Sequence, residues 1–183
     1  FAEHVANLKQ LHARYGAVHE KGAVAEARRY GAVLASHDDT TADQVEVSAR
    51  NGVGFAEFPT TREAASACRA HGIAVMMGAP NLIRGGSHSG NVAARELAEA
   101  QLMQIVSSDY VPAALLLSAF QLADIWENLP MAVACVTRNP ARAAGLEDRG
   151  SLETGLRGDL IRVRPAGKTP LLRGVWSRGE RVA

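Results

Sequence analysis

Short apolar runs recur along the chain, and each run ends in a turn of small and polar residues. They cover residues 32–36, 53–57, 73–78 and 105–108. Each run is too short for a buried helix and is bounded by turn-forming residues, which is typical of a strand buried in a sheet. The pattern therefore predicts four buried strands.

Segments with a helical period separate these runs, at residues 42–51, 62–71 and 92–103. Thr60 and Glu63 have the spacing of a capping box at the start of the second helix. Gly52 and Gly72 follow the first two helices, where a helix commonly ends in a left-handed residue. Because strands and helices alternate, the segments predict a parallel sheet with right-handed crossovers.

The flanking segments have other patterns. Residues 2–30 are amphipathic and predict two helices with a break near residues 16–21. Further helices are expected at residues 112–128, 131–138 and 140–145. After Gly150 the segments DLIRVRP and LLRGVWSRGERV alternate and predict a small antiparallel appendage. We therefore expect one domain over residues 1–150 and a β appendage over residues 151–183.

The composition is that of an ordinary globular protein. Apolar residues make up 47% of the 183 residues and charged residues 21%, which argues against intrinsic disorder. The formal net charge is +1, so no global field recruits nucleic acid or an anionic membrane, and any anion site must be local. No apolar stretch approaches the roughly 20 residues of a membrane span. Cys68 and Cys135 fit the predicted helices as reduced core thiols, and we expect a cytoplasmic protein.

Ionisable side chains lie where the predicted strands end. The stretch LASHDDTT places His37, Asp38 and Asp39 after the first strand, and Asp109 follows the fourth. Functional groups of parallel sheets come from the carboxyl ends of strands, so an imidazole and a carboxylate here suit a divalent cation. The alternative is a turn rich in helix caps, in which Asp39 or Thr40 stabilises the next helix. The residues alone leave both interpretations open.

The turn after the third strand, GAPNLIRGGSHSGN, combines glycines with hydrogen-bond donors. Gly85 and Gly86 permit close approach of a ligand to the backbone, and a helix is expected to start nearby with its positive end towards the turn. Side-chain donors are supplied by Arg84, Ser87, His88 and Asn91. These groups suit phosphate oxygens, although the turn has no Walker sequence. The alternative is a flexible loop enriched in turn formers.

Taken in order, these turns resemble one family. LASHDDTT, AEFPTT, MGAPNLIRGGSHSGN, SSDYVPAALL and VTRNPARAAGLEDRG are similar to the amidohydrolase superfamily, and in particular to its members in phosphonate breakdown. The resemblance runs in register from about residue 32 to the end of the chain. It implies an α/β fold of the TIM-type (β/α)8 barrel class, with metal ligands at strand ends and a small β-sandwich appendage.

The resemblance also implies roles for single residues. His37 corresponds to a metal ligand on the fifth barrel strand, and Asp109 to the eighth-strand aspartate, which binds metal and accepts a proton from water. Glu57 ends the sixth strand, where the superfamily usually has histidine. Asp38 and Asp39 would hold a second cation or orient His37. Zinc is the favoured divalent metal, with manganese or magnesium as alternatives.

The chain holds only part of such a barrel. No His-x-His pair occurs in the sequence, and four strands cannot close an eight-stranded barrel. The resemblance therefore implies a carboxyl-terminal half, with about four parallel strands, whose partner is the amino-terminal half. Whether the protein also forms a homo-oligomer is left open.

The function implied is hydrolysis of a phosphoanhydride. The expected substrate is a phosphorylated ribose, a ribose 5-triphosphate that carries a 1-methylphosphonate, from which pyrophosphate is released. An alternative within the superfamily is hydrolysis of C–N bonds by a cyclic amidase or deaminase. A further alternative is a non-catalytic module that binds phosphate or a nucleotide.

Overall fold

The computed structural model describes residues 1–87, 89–167 and 169–183, and the chain divides into two compact units, Phe1–Leu34 and Ala35–Ala183. The first unit is dominated by helix α1 (Ala2–Tyr30), which is continuous, so the predicted break near residues 16–21 is wrong. A glycine inside a helix costs only about 1 kcal/mol and does not by itself end it. The helix ends at Gly31, where φ is 62° and the amide donates to carbonyls of the last turn.

The second unit begins with the predicted alternation of strands and helices. The elements are β1 (Ala35–His37), α2 (Ala42–Asn51), β2 (Phe55–Glu57), α3 (Arg62–Ala70), β3 (Ala74–Gly78), α4 (Ala79–Arg84), α5 (Ala94–Glu99) and β4 (Ile105–Ser107). The four strands form one parallel sheet in the order β1-β2-β3-β4. The prediction of an α/β chain with four parallel strands is therefore confirmed.

Helix α4 is an element that the sequence pattern did not predict. It begins directly after β3 with Pro80 in its first turn, a position where the missing amide and fixed φ of proline are favourable. It ends at Gly85, where φ is 82°. Short helices of this kind lack the length over which a hydrophobic period becomes visible.

The helix caps differ in detail from the predicted ones. Thr41 and Gln44 form a complete capping box at the start of α2. Thr61, not Thr60, caps α3 and accepts from the Ala64 amide, so the predicted Thr60–Glu63 box is wrong. Thr60 instead contacts the turn after β1, because its hydroxyl lies 2.7 Å from that of Thr40. The two neighbouring turns are thereby held together.

The parallel sheet buries one face beneath its helices. Strand side chains alternate, and on one face of β1 to β3 they stay exposed or half-buried, among them Phe55 and Met76. The opposite face belongs to the core, in which Ala56, Val75, Met77 and Val106 cluster with Val45, Cys68, Leu97 and Leu122. Because only one face is buried, the residues of the other face are accessible to a ligand or to another protein segment.

Helices and a second sheet follow β4. The helices are α6 (Ala114–Trp126), α7 (Leu129–Ala134) and α8 (Arg138–Ala143), and the strands are β5 (Leu160–Ala166), β6 (Thr169–Ser177) and β7 (Glu180–Arg181). The three strands form an antiparallel sheet in the order β5-β6-β7, as the pattern after Gly150 predicts. A sandwich needs two packed sheets, so the sandwich and the division at residue 150 stay predictions.

Within the part of the chain that the structure describes, every helix is too short or too polar to cross a lipid bilayer.

The two thiols are buried, and we expect them to make stability fall at alkaline pH. Burial, together with the Asp39 carboxylate near Cys68, raises the pKa of Cys68 from 9.0 to about 11, and burial raises the pKa of Cys135 to about 11. A raised folded pKa contributes stability below pH 9 that is lost as pH rises towards 11, at up to about 1.4 kcal/mol per pH unit for each thiol. Urea midpoints between pH 8 and 11 should show this decline, and the Cys68→Ala, Cys135→Ala double variant should show less of it. An equal decline in both proteins would contradict the assignment.

Candidate active site

The carboxyl ends of β1 to β4 meet along one edge of the parallel sheet. His37 pairs with Glu57 across β1 and β2, and Gly78 pairs with Ser107 across β3 and β4. Because residues paired in a parallel ladder project from the same face, the side chains of His37 and Glu57 both belong to the exposed face. His37 and Glu57 therefore lie at adjacent strand ends, whereas Asp109 follows β4, which β2 and β3 separate from β1.

His37 is paired with its neighbour in sequence. Its Nδ1 lies 3.1 Å from Oδ2 of Asp38, and both side chains are more than half exposed. Asp38 adopts a φ of 60°, a left-handed conformation that aspartate tolerates better than most residues. A carboxylate on Nδ1 orients the ring and leaves Nε2 as the nitrogen able to bind a metal. This contact suits the predicted role of Asp38 in orienting His37.

Phe58 is a part of this edge that sequence reasoning missed. Its ring meets the His37 ring edge to face, with centroids 5.3 Å apart and planes at 84°. Its φ is 54°, a conformation that costs a non-glycine residue about 1 kcal/mol or more. An aromatic residue after a strand carries no signal in the hydrophobic pattern, because it resembles any other apolar position.

Asp109 lies beside the end of β3. Its φ is 51°, and its amide donates to Oγ of Ser107 at 3.1 Å. A β-carbon added at Gly78 would lie 3.2 Å from Oδ2 of Asp109 and 3.6 Å from the Phe58 ring. The Asp109 carboxylate and the Phe58 ring thus both occupy the space that the glycine leaves.

The described residues supply metal-binding atoms but not a full set of ligands. Among them, no group of three histidine, cysteine, aspartate or glutamate side chains is close enough together to hold a metal ion. The predicted ligands His37, Glu57 and Asp109 are therefore not gathered into such a group. An imidazole and carboxylates are nevertheless the donors that zinc accepts, and catalytic zinc uses three protein ligands. The chemistry fits a share of a metal site, to which further ligands must be added.

Asp39 differs sharply from Asp38, although both were predicted to bind a cation or orient His37. Its side chain is buried, and its Oδ2 accepts from Oγ of Ser48 in α2 at 3.4 Å. Its carbonyl also accepts from the Thr60 amide at 2.9 Å. These contacts join the turn after β1 to α2 and to the turn after β2. Through these contacts Asp39 stabilises the turn, and its predicted role in catalysis stays a prediction.

We expect Asp39→Ala to lower stability rather than the reaction rate. Loss of a hydrogen bond from a buried hydroxyl should lower the free energy of unfolding by about 1 kcal/mol or somewhat more. Asp124→Ala, which removes an exposed carboxylate on α6, is the matched control and should stay within about 0.5 kcal/mol. Urea unfolding of the two variants is the measurement. A stable Asp39→Ala protein that has lost turnover would restore the catalytic assignment.

The turn after β3 is organised differently from the expected phosphate loop. The amides of Gly85 and Gly86 both donate to the Asn81 carbonyl and close the end of α4, so neither is available to a phosphate in this conformation. The helix expected near Asn91 begins at Ala94, whose amide donates to Oδ1 of Asn81. The expected contribution of these backbone amides is therefore not supported.

The structure describes three of the four predicted side-chain donors of this turn. Arg84 and Asn91 are exposed, and Oγ of Ser87 accepts from the Ser89 amide at 3.0 Å. His88 lies outside the described residues. The phosphate-binding role of these side chains stays a prediction, now carried by side chains rather than by the backbone.

Two cavities lie away from this edge. One, of about 480 Å³, is lined by residues of α6 together with Arg95 and Thr169, and another, of about 380 Å³, lies on the antiparallel sheet. Neither is lined by a predicted site residue. The candidate site is thus defined by the strand ends and not by either of these cavities.

Comparison with known proteins confirms the resemblance seen in the turns. No protein-family profile matches the chain. The chain is 49% identical over 175 residues to the α-D-ribose 1-methylphosphonate 5-triphosphate diphosphatase of Escherichia coli K12. The match covers 94% of this chain but 46% of that protein, so the chain spans about half the length of this relative.

Solved structures show the same fold at lower sequence identity. An uncharacterized protein has a TM-score of 0.66 at 20% identity, covering 87% of this chain and 47% of that one. An amidohydrolase from Thermotoga maritima has a TM-score of 0.63 at 20% identity, covering 82% of this chain and 43% of that one. The ochratoxinase of A. niger has a TM-score of 0.60 at 15% identity, covering 86% of this chain and 43% of that one. These similarities concern the fold alone.

Proposed function

We propose that this chain is the carboxyl-terminal half of a metal-dependent diphosphatase that cleaves α-D-ribose 1-methylphosphonate 5-triphosphate and releases pyrophosphate. The observation that carries the proposal is the 49% identity, over nearly the whole chain, to a relative named for that reaction. The strand-end edge with His37, Asp38 and Asp109 supports it, because these donors suit metal-assisted hydrolysis. A cytoplasmic location belongs to the same proposal.

The partner that we propose is the amino-terminal half of a (β/α)8 barrel. Strands β1 and β4 form the two edges of the parallel sheet, and the face bearing His37 and Phe55 is exposed or half-buried on β1 to β3. Four further strands would pair with both edges and would turn this face into the barrel interior. The same closure would bring additional ligands to the carboxyl-end edge, where barrel enzymes have their active sites.

In the proposed mechanism the residues of this chain hold and orient the reacting groups. His37 through Nε2 and Asp109 through its carboxylate would hold the divalent metal, for which zinc is favoured, and Asp38 fixes the His37 ring. A bound divalent ion polarises a phosphoryl oxygen and makes water a better nucleophile at neutral pH. Asp109 also takes the proton of the attacking water at a carboxylate oxygen. The contribution of Glu57 depends on the ligands that the other half supplies.

Arg84 and His88 are proposed to neutralise the triphosphate. In-line attack on a polyphosphate develops charge on the non-bridging and leaving oxygens, and a guanidinium binds such oxygens in pairs. Ser87 and Asn91 would add neutral donors on the same turn. The turn thus determines phosphate binding, while the strand ends determine metal binding.

Arg84→Ala should impair triphosphate turnover more than metal content. Loss of a charge-assisted contact to a phosphoryl oxygen should cost about 2–4 kcal/mol in the transition state, a factor of about thirty to a thousand in kcat/KM. Arg69→Ala is the matched control. It removes an exposed arginine near the end of α3, on the side of the sheet where the strands begin. Steady-state kinetics and metal analysis of both variants test this. Wild-type kinetics for Arg84→Ala would reduce the turn to a structural role.

The reaction itself is tested with the complete enzyme, assembled from this chain and the amino-terminal half. Incubation with the ribose 5-triphosphate and a divalent metal should release pyrophosphate, and a chelator should abolish the release. A panel of cyclic amides serves as the comparison substrate set. Turnover of an amide without turnover of the triphosphate would replace the proposal with C–N hydrolysis, and turnover of neither would favour a binding module.

A further inference from the structure

We propose that Phe58 and Gly78 are positioning residues that together determine the separation of the His37 imidazole and the Asp109 carboxylate. This inference rests on the proposed function, because it concerns the two groups assigned to the metal. Neither residue carries a group that binds metal or transfers protons. Their role would be to hold the groups that do.

The first support is the conformation and contact of Phe58. Its amide donates to the Met76 carbonyl at 2.9 Å, so the backbone continues the β2–β3 ladder while φ reaches 54°. A bulky residue is rarely held in this left-handed region unless the surroundings impose it. In this conformation the Phe58 ring packs against the His37 ring, with the two ring planes at 84°. The strained backbone therefore places an aromatic wall beside the candidate ligand.

The second support is the reason for a glycine at position 78. Its φ of −78° and ψ of 132° are ordinary extended values that any residue can adopt, so the backbone does not require glycine. The limited space around position 78 requires glycine, because an added β-carbon would lie 3.2 Å from Oδ2 of Asp109. Such an approach is tighter than most real contacts, and the carboxylate would have to move. The absence of a side chain thus allows the observed position of Asp109.

The contacts join the two candidate ligands in one series across the sheet. The His37 ring touches the Phe58 ring, the Phe58 ring lies over Gly78, and Asp109 lies over the same glycine. Each contact is between residues at the ends of neighbouring strands, whose spacing the ladder hydrogen bonds determine. A change at either middle residue should therefore alter the distance between the imidazole and the carboxylate.

The test is metal affinity, measured on the complete enzyme by competition for Zn²⁺ with a chromophoric chelator. Phe58→Leu and Gly78→Ala should each weaken Zn²⁺ binding by about tenfold to a hundredfold, as loss of a supporting contact does. Phe58→Tyr keeps the ring and should retain affinity within about threefold. Gly22→Ala is the matched control, because its added β-carbon meets no neighbouring atom. The melting temperature of the metal-free proteins is measured alongside.

The outcomes separate this inference from the proposed function. If wild type binds Zn²⁺ and His37→Asn loses it while Phe58→Leu and Gly78→Ala bind normally, the positioning role is overturned and the metal site stands. If wild type and His37→Asn bind Zn²⁺ equally, the metal site itself fails. If the loss of affinity in Phe58→Leu is accompanied by an equal loss in Phe58→Tyr, the ring is not the positioning group.

Discussion

Replacing His37 with asparagine should abolish turnover while leaving the metal-free protein folded. The imidazole is more than half exposed, and it contacts the Asp38 carboxylate and the Phe58 ring. Substitutions at exposed positions usually change stability by less than about 0.5 kcal/mol, and loss of one aromatic contact adds at most about 1 kcal/mol. Removal of a metal ligand should instead cost several kcal/mol in the transition state, at least about a thousandfold in kcat.

The measurement is a paired one, the melting temperature without metal and the rate at saturating metal. Asp38→Asn is the graded comparison, because it keeps the shape of the side chain but not the charge that orients His37. It should lose about tenfold to a hundredfold in metal affinity. A fully active His37→Asn enzyme would show that the end of β1 takes no part in the mechanism.

Asp109→Asn should remove most activity, and the structure makes this substitution cleaner than Asp109→Ala. Asp109 has a φ of 51°, and asparagine tolerates the left-handed region, whereas alanine would add strain of about 1 kcal/mol. The backbone amide can keep its bond to Ser107, so the change is confined to the carboxylate charge and its ability to accept a proton. We expect kcat to fall by about a thousandfold or more, with reduced metal content.

Asp124→Asn is the matched control for this charge removal, since it converts an exposed carboxylate on α6 into an amide. It should keep wild-type rate and metal content. Metal analysis and steady-state kinetics of the two variants check the prediction. Full metal content and a near-normal rate in Asp109→Asn would place the essential carboxylate elsewhere in the enzyme.

The two aspartates of LASHDDTT show where sequence reasoning stops. They are adjacent and chemically identical, and the pattern assigned both to the cation or to His37. In the structure Asp38 pairs with His37 at the exposed edge, whereas Asp39 is buried against Ser48. The left-handed φ of 60° at Asp38 sends the chain in a new direction after the strand, and local sequence does not specify this turn. The two interpretations of the turn stay predictions, and the structure suggests a different one for each aspartate: support of His37 for Asp38, and support of the turn for Asp39.

The loop after β3 shows the same limit for backbone groups. Glycines and donors in GGSHSGN are compatible with phosphate binding, and composition cannot tell whether the amides are already engaged. The structure engages the amides of Gly85 and Gly86 at the end of α4, a six-residue helix too short to leave a periodic signal. What remains for a phosphate is the side-chain chemistry of Arg84, Ser87 and Asn91, which the sequence does specify.

By itself the sequence determined the alternation of four strands with helices, the antiparallel segment after Gly150, and the residues that stand at strand ends. These features follow from hydrophobic period and turn chemistry, which act over a few residues. Only the tertiary structure decided which side chains meet: the His37–Asp38 pair, the Phe58 ring against it, and Asp109 beside Gly78. Those contacts depend on the pairing register of strands that are far apart in sequence and on left-handed φ values at single residues. Neither feature can be recognised from the local sequence pattern.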